Sequence, residues 1–183
     1  GPKGMYDMGL PSKRSIFKIH MDGVWAIREE ARKKLSSGAS CTIPVYIMTS
    51  DLNDKIIRQF FKDNDYFGYD KEDIRFFEQG LEPCISLDGK VILESEESLA
   101  MAPDGNGGLY NALQKSGAFE DIERRNVKHL HIYGIDNVLT KSADPAFMGC
   151  CIDRDSQIGN KVVWRASASE KVGVAVERDG RMV

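Results

Sequence analysis

The sequence predicts an α/β domain built on a mixed β-sheet. Short apolar segments rich in β-branched and aromatic residues alternate along the chain with segments whose apolar residues recur at helical spacing. An Asp-Gly step between two apolar segments also predicts an antiparallel hairpin. At 183 residues, of which 42% are hydrophobic, the chain is long enough to form one domain with a substantial core.

The first half of the chain predicts two strands with a helix between them. The apolar run from Ile43 to Met48 ends at Thr49-Ser50 and is typical of a buried strand. The segment from Asn53 to Asp63 carries one apolar helical stripe, formed by Ile56, Ile57, Phe60 and Phe61. Ser50, Asp51 or Asn53 is expected to cap this helix. Ile74 to Phe77 then predicts the second strand.

The second half adds a hairpin, helices and further strands. The run from Cys84 to Leu93 turns at Asp88-Gly89, and this step favours the positive φ angles of a type I′ turn. Asp144-Pro145 has the pattern of a helix start. The remaining predicted elements are helices over 109–113 and 119–125 and strands over 128–135, 161–164 and 172–176.

Composition narrows the class of protein. A net charge of −3 argues against a surface made for nucleic acid. The four cysteines form no C-x-x-C pair and indicate free thiols in a reducing compartment. No apolar run is long enough to span a bilayer and no signal peptide is seen, so we expect a cytoplasmic protein that does not bind membranes.

Three segments carry residues suited to phosphate chemistry. Asp104 to Gly108 is a glycine-dense loop ahead of a helix, which fits either a ligand-binding loop or a tight turn with a helix cap. Asp136 follows an apolar strand, where a carboxylate either holds Mg²⁺ or turns the chain. Lys3 lies between Pro2 and Gly4 and is either a phosphate ligand or a solvated side chain. The residues alone leave each pair of alternatives open.

Taken in order, these segments resemble the UDP-N-acetylglucosamine pyrophosphorylases. The resemblance covers essentially the whole chain and rests on motifs in register. They are Pro2 to Ser12, Met48-Thr49-Ser50, Phe76 to Gly80, Ala102 to Tyr110, Ile132 to Asn137 and Ala143-Asp144-Pro145. The resemblance implies a GT-A-like, Rossmann-type nucleotidyltransferase core that joins UTP and N-acetylglucosamine-1-phosphate to give UDP-N-acetylglucosamine and pyrophosphate.

The resemblance also implies a role for each matching residue. Lys3 matches a lysine that contacts the UTP phosphates, and Asp136 matches the acidic residue at the Mg²⁺ ion. Gln79 and Gly105 match the pair that recognises uracil, and Asn106 matches a residue that contacts the sugar phosphate. Lys3 and Asp136 are therefore the expected catalytic residues, and Mg²⁺ is the expected cofactor.

The same comparison implies that residues 1–183 form part of a single catalytic domain, truncated at both ends. The family's glycine-rich loop, expected just before Lys3, and its C-terminal region are absent, so we expect the chain alone to be inactive. Two alternatives stay open. One is a UDP-glucose or broad UDP-sugar pyrophosphorylase, and the other is a nucleotide-binding fragment without catalysis.

Overall fold

A computed structural model describes residues 1–35 and 41–182. Two compact units are present, Gly1–Pro145 and Ala146–Val183. The helices are α1 (Ile16–Lys34), α2 (Asp54–Asp63), α3 (Leu109–Lys115), α4 (Ala118–Arg124) and α5 (Pro145–Asp153). The strands of the first unit are β1 (Val45–Thr49), β2 (Ile74–Glu78), β3 (Leu81–Pro83), β4 (Leu93–Ser95), β5 (Ser98–Leu99) and β6 (Met101–Pro103). That the chain belongs to a single catalytic domain stays a prediction.

A parallel pair of strands forms the centre of the first unit. β1 and β2 pair in register from Val45 with Ile74 to Thr49 with Glu78, and α2 lies between them in sequence. Both strands and α2 confirm the sequence prediction. The antiparallel pairings β3–β6 and β4–β5 form separate two-stranded ladders. The α/β class is confirmed, but the parallel and antiparallel pairs of the described residues lie in different sheets and not in the one mixed sheet that was predicted.

Helices cover both faces of the parallel pair. On one face, Ile47 and Phe76 pack against a core formed by α1 and α2. On the other face, Met48 packs against a second cluster that contains Phe77 and residues of α3 and α4. Strands buried on both faces read as continuous apolar runs without strict alternation, and β1 shows this pattern.

An aromatic cluster holds the first face together. Phe61 of α2 is fully buried, and its ring meets those of Phe17, Phe67 and Phe76 edge-on at centroid distances of 4.9, 5.0 and 5.1 Å. Edge-to-face contacts of this kind add to the free energy gained by burying apolar area. The cluster therefore fixes α1 and α2 on the parallel pair.

Helix α1 was missed by the sequence prediction. Ser15 caps it by accepting a hydrogen bond from the Lys18 amide at 3.2 Å. Phe17, Met21 and Val24 follow at helical spacing and are buried in the core. Among the described residues, no helix is long and apolar enough to cross a bilayer.

The predicted hairpin around Asp88-Gly89 is present, but its turn differs from the predicted type I′. Gly89 has a φ of 83°, whereas Asp88 is not among the residues with positive φ. The Gly89 amide donates to the Ser86 carbonyl at 2.9 Å, and the Ser86 amide donates to the Lys90 carbonyl at 2.8 Å. The loop is thus one residue longer than predicted and ends on a left-handed glycine.

Three predicted strands are wrong. The segments 128–135, 161–164 and 172–176 form no strand ladder among the described residues. An alternating apolar pattern produces a strand only when another strand supplies hydrogen-bonding partners. Leu130 and Ile132 consequently remain exposed.

The second unit contains most of α5 and a small hairpin. Helix α5 begins at Pro145 as predicted. Strands β7 (Glu177–Arg178) and β8 (Arg181–Met182) pair antiparallel around Asp179 and Gly180, which have φ values of 52° and 74°. Positive φ at both turn residues is the type I′ geometry that an Asp-Gly step favours.

Replacing Phe61 with alanine tests the aromatic cluster. We expect Phe61→Ala to lower the free energy of unfolding by about 3–5 kcal/mol, because it leaves a cavity where three rings meet. Denaturant unfolding of the protein measures this value. The control Leu52→Ala removes a side chain that is 90% exposed and should change the free energy of unfolding by less than about 0.5 kcal/mol. Equal effects in the two variants would contradict the assignment.

Candidate functional site

Lys3 and Asp136 form an ion pair although they lie 133 residues apart. Lys3 Nζ is 2.7 Å from Asp136 Oδ2, and the side chains are 70% and 58% exposed. The hydrogen bond from Lys3, and then its charge, lower the pKa of Asp136. The structure therefore brings together the two residues predicted to be catalytic and leaves both accessible to a ligand.

Packing of the N-terminal turn positions Lys3. The short helical turn Lys3–Met5 contains Gly4, which is buried against the Phe17 ring so closely that a Cβ would overlap it. Lys3 and Asp136 line an open depression of about 420 Å³, together with Tyr6 and Ile16 among others. At this depression Lys3 can donate to an anionic group such as a phosphate, whereas the Asp136 carboxylate can accept a cation.

A tight turn presents Asp136. The Asn137 amide donates to the Gly134 carbonyl at 3.1 Å, and Ile135 packs against the main core. A Cβ on Gly134 would lie 2.9 Å from Asp136 Oδ1. Glycine at this position thus leaves space for the carboxylate.

The other predicted residues lie at one end of the antiparallel pair β3–β6. The Gln79 amide donates to the Thr49 carbonyl at 2.9 Å, just beyond the parallel strands. The Asp104 amide donates to the Gly80 carbonyl at 3.1 Å. The backbones of Gln79 and Gly105 therefore leave the same end of this ladder, as expected for residues that act on one group. Their roles toward uracil stay predictions.

Gly105 has a backbone conformation that only glycine adopts readily. Its φ is 76° and its ψ is −168°. No atom lies within 4 Å of the position that a Cβ would take, so this face of the backbone is open to a ligand. Asn106 follows as an exposed residue and begins a short helical turn that leads into α3.

Asp104 is a residue that sequence reasoning missed. Its carboxylate fills the space where side chains on Gly80 and Gly108 would otherwise project. Oδ1 is buried and accepts no hydrogen bond among the described residues. Asp104 therefore joins the segment after β2 to the glycine loop. The only sequence signal for this contact was glycine at positions 80 and 108. Their spacing did not indicate that both glycines pack against Asp104.

A second missed group lies at the end of β1. Thr49 is buried and its hydroxyl donates to Asp54 Oδ1 at 2.7 Å, while Arg58 Nε donates to Asp54 Oδ2 at 2.6 Å. Burial raises the pKa of Asp54, but the hydrogen bonds from Arg58 and Thr49 outweigh it and the net shift is downward. This network fixes the start of α2 against the strand end, and Asn53, a predicted cap, makes no side-chain capping bond.

The residue set limits what kind of metal site is possible. Within residues 1–35 and 41–182, no group of three or more His, Cys, Asp or Glu side chains could hold a metal ion. Asp136 offers one exposed carboxylate, and it lies beside Lys3, the predicted phosphate ligand. Such a site fits Mg²⁺, which commonly binds one or two carboxylates and takes its other ligands from substrate phosphates and water.

Comparison with solved structures defines the fold. The chain superimposes with a TM-score of 0.92 on the UDP-N-acetylglucosamine pyrophosphorylase from Trypanosoma brucei, covering 99% of this chain and 37% of that one at 30% identity. The fold is thus that of the nucleotidyltransferases of this type.

Sequence comparison identifies the family. Residues 1–183 match the family described as UTP–glucose-1-phosphate uridylyltransferase, and the chain belongs to this family. It is 46% identical to UDP-N-acetylglucosamine diphosphorylase 2 from Arabidopsis thaliana over 97% of the chain. It is 43% identical to UDP-N-acetylhexosamine pyrophosphorylase-like protein 1 from Xenopus tropicalis over 98%. The chain spans 36% and 35% of these relatives.

Adjacent glycines provide a test of the Asp104 contact. A Cβ on Gly108 would overlap the Asp104 carboxylate, whereas a Cβ on Gly107 would meet nothing within 4 Å. We expect Gly108→Ala to lower the free energy of unfolding by about 1–3 kcal/mol through overpacking. Gly107→Ala should be neutral or slightly stabilising, because it only restricts the unfolded chain. Thermal unfolding compares the two variants, and the same stability in both would refute the contact.

Proposed function

We propose that the complete protein joins UTP and N-acetylglucosamine-1-phosphate to give UDP-N-acetylglucosamine and pyrophosphate. The observation that carries this proposal is the 46% identity, over 97% of the chain, with a relative named for UDP-N-acetylglucosamine. The pairing of Lys3 with Asp136 supports it, since the predicted phosphate ligand and the predicted metal ligand are in contact.

Binding of UTP would exchange the partners of this ion pair. Lys3 would leave Asp136 and bind the phosphates, and the carboxylate would become free to hold Mg²⁺. An exposed salt bridge contributes about 0–1 kcal/mol, so breaking it costs little compared with new charge-assisted bonds to phosphate. In the free protein, the pair keeps both charges compensated.

Mg²⁺ fits the single carboxylate and would neutralise charge on the phosphates. The side chains supply the rest of the site. Gln79 offers both a donor and an acceptor to the edge of uracil, and the open face of Gly105 allows the base to approach the backbone. Asn106 is placed next to this face and would contact the sugar phosphate.

The reaction requires no nucleophile from the protein. An oxygen of the sugar phosphate attacks the α-phosphorus of UTP, the new phosphorus–oxygen bond forms, and the bond to pyrophosphate breaks. Holding the two substrates in line accounts for a large part of catalysis in phosphoryl transfer of this kind. Lys3 would stabilise negative charge on the phosphates as it develops.

A comparison of sugar phosphates tests the proposal. The complete protein is supplied with UTP, Mg²⁺ and, separately, N-acetylglucosamine-1-phosphate, N-acetylgalactosamine-1-phosphate or glucose-1-phosphate, and pyrophosphate release is measured. The highest kcat/KM is expected with N-acetylglucosamine-1-phosphate. The family description names glucose-1-phosphate, so preference for that sugar would favour a UDP-glucose pyrophosphorylase. Nucleotide binding without release of pyrophosphate would favour a non-catalytic protein.

Substitution of Gly105 tests the base site. We expect Gly105→Val to abolish measurable UTP binding, because a branched side chain would fill the open face and strain the positive φ. Calorimetric titration of UTP measures the loss. Gly89→Val is the matched control, since Gly89 also has positive φ and open space at its Cβ position. It should cause comparable strain and leave UTP affinity unchanged. Normal affinity in folded Gly105→Val would show that the loop is only a turn.

Substitution of Asp136 tests the metal ligand. We expect Asp136→Asn to lower the Mg²⁺-dependent rate at least about 10²-fold, because the amide lacks the charge that the ion requires. The melting temperature should barely change, since exposed ion pairs contribute little to stability.

Asp88 provides a matched control for this substitution. It forms an ion pair with Lys90 at 2.8 Å, and its side chain is 59% exposed, close to the value for Asp136. Asp88→Asn should therefore keep both the rate and the melting temperature. Near-normal turnover of Asp136→Asn with an unchanged Mg²⁺ requirement would refute the metal-site assignment.

A further inference from the structure

A buried histidine lies behind the turn that carries Asp136. His20 of α1 is 5% exposed. Its Nε2 is 3.3 Å from the carbonyl oxygen of Ile135, and its Nδ1 is 3.2 Å from Ser142 Oγ. The Tyr133 hydroxyl is 2.9 Å from the same Ser142 oxygen, and the His20 and Tyr133 rings are in contact at 5.0 Å between centroids. Four residues from three parts of the chain thus form one connected network.

The chemistry of the partners fixes the direction of each hydrogen bond. A carbonyl only accepts, so His20 Nε2 carries the proton and donates to Ile135. Nδ1 of the neutral ring then accepts from the Ser142 hydroxyl, which in turn accepts from Tyr133. Burial lowers the pKa of His20, although the bond to Ile135 opposes this shift, and burial raises the pKa of Tyr133. Both shifts favour the neutral groups that this network requires.

We propose that His20 is a positioning residue that holds the Ile135 carbonyl, and with it the Asp136 carboxylate, in the geometry needed for phosphate and metal binding. The inference rests on the proposed function for the role of Asp136. Ile135 directly precedes Asp136, so a shift of its peptide group moves the carboxylate as well. Among the described residues, the hydrogen bonds of His20 go to Ile135 and Ser142 and not to Lys3 or the Asp136 carboxylate.

In the part of the chain that the structure describes, the backbone before Asp136 lacks strand partners, and this explains why the His20 side chain is needed to hold the Ile135 carbonyl. Within the described chain, residues 127–134 form no strand ladder. Hydrogen bonds to neighbouring strands therefore do not hold the segment that leads to Asp136. The hydrogen bonds of His20 in α1 hold part of this backbone instead. An apolar side chain at position 20 would fill the same space but leave the Ile135 carbonyl without its donor. Loss of an outer partner of this kind typically weakens metal binding or activity by about 10–100-fold.

Three substitutions of His20 separate hydrogen bonding from packing. The Nε2 amide of His20→Gln can replace the ring Nε2 as donor to Ile135. The shorter His20→Asn can replace only the Nδ1 contact with Ser142, and His20→Leu keeps bulk without polar atoms. Met21→Ala is the control for general loss of stability, because Met21 is the next residue of α1, is 3% exposed and belongs to the core.

The experiment uses the complete protein and two measurements. Electron paramagnetic resonance gives the affinity for Mn²⁺ in the presence of UTP, and steady-state kinetics gives kcat and KM for UTP. We expect His20→Leu and His20→Asn to weaken Mn²⁺ binding and lower kcat by about 10–100-fold. His20→Gln should retain values close to those of the parent protein. Met21→Ala should lower the melting temperature without changing Mn²⁺ affinity.

Several results would overturn the inference. They are parent-like Mn²⁺ affinity in folded His20→Leu, equal weakening in Met21→Ala, or failure of His20→Gln to restore binding that His20→Leu loses. A parent protein that binds no Mn²⁺ with UTP would also overturn it. A parent protein that binds Mn²⁺ and UTP but transfers no uridylyl group would contradict the proposed function. The Mn²⁺ affinities of the variants would still decide the role of His20.

Discussion

The parallel pairing of β1 with β2 is the constraint on which the rest of the first unit depends. Because parallel strands end at the same edge of a sheet, the pairing places Thr49 beside Glu78 and lets the Gln79 amide bond to Thr49. In open α/β folds, ligands bind beyond this carboxyl edge. The surrounding helices pack against the apolar faces of the two strands. One pairing thus decides where the core lies and where the polar residues emerge.

Close backbone contacts connect the carboxyl edge of β1 and β2 to the glycine loop from Asp104 to Gly108. Gly80 bonds to Asp104, and the Asp104 carboxylate occupies the space left by Gly80 and Gly108. The glycines therefore act for two different physical reasons. Gly80 and Gly108 are required by a close approach, whereas Gly105 is required by its backbone angles and leaves its outer face free. A loop rich in glycine is in this way held by defined contacts without side chains that would obstruct a ligand.

Local patterns predicted the elements whose partners are near in sequence or whose two faces both pack against helices. Strands β1 and β2 and helix α2 follow from apolar runs and helical spacing, and Pro145 marks the start of α5. The segment 128–135 has an equally clear alternating pattern but pairs with no other strand within the part of the chain that the structure describes. A ladder depends on a partner that the pattern itself does not contain. Helix α1 carried a capping serine and spaced apolar residues, so its signal was present and was not used.

The residues of the candidate site fall into the same two groups, those that a local sequence motif indicates and those that depend on contacts between distant segments. Lys3, Gln79, Gly105, Asn106 and Asp136 were assigned through motifs, and the structure brings Lys3 to Asp136 and the Gln79 backbone to the glycine loop. Their chemical roles stay predictions. Asp104, Thr49 and His20 were not assigned, because each acts through contacts between segments distant in sequence. Asp104 acts across a pair of glycines, and His20 acts through a carbonyl that belongs to another residue.

Buried contacts next to Lys3 and Asp136 explain how an exposed ion pair can be placed with precision. The Lys3 and Asp136 side chains face solvent, where rotamer freedom and screening make a single contact weak. Their backbones, in contrast, are anchored by buried groups, Gly4 against Phe17 on one side and His20 against the Ile135 carbonyl on the other. The charged ends are exposed and can exchange partners, while their attachment points are held by buried contacts. The proposed exchange of this ion pair for a nucleotide would use this division between anchored backbones and exposed charges.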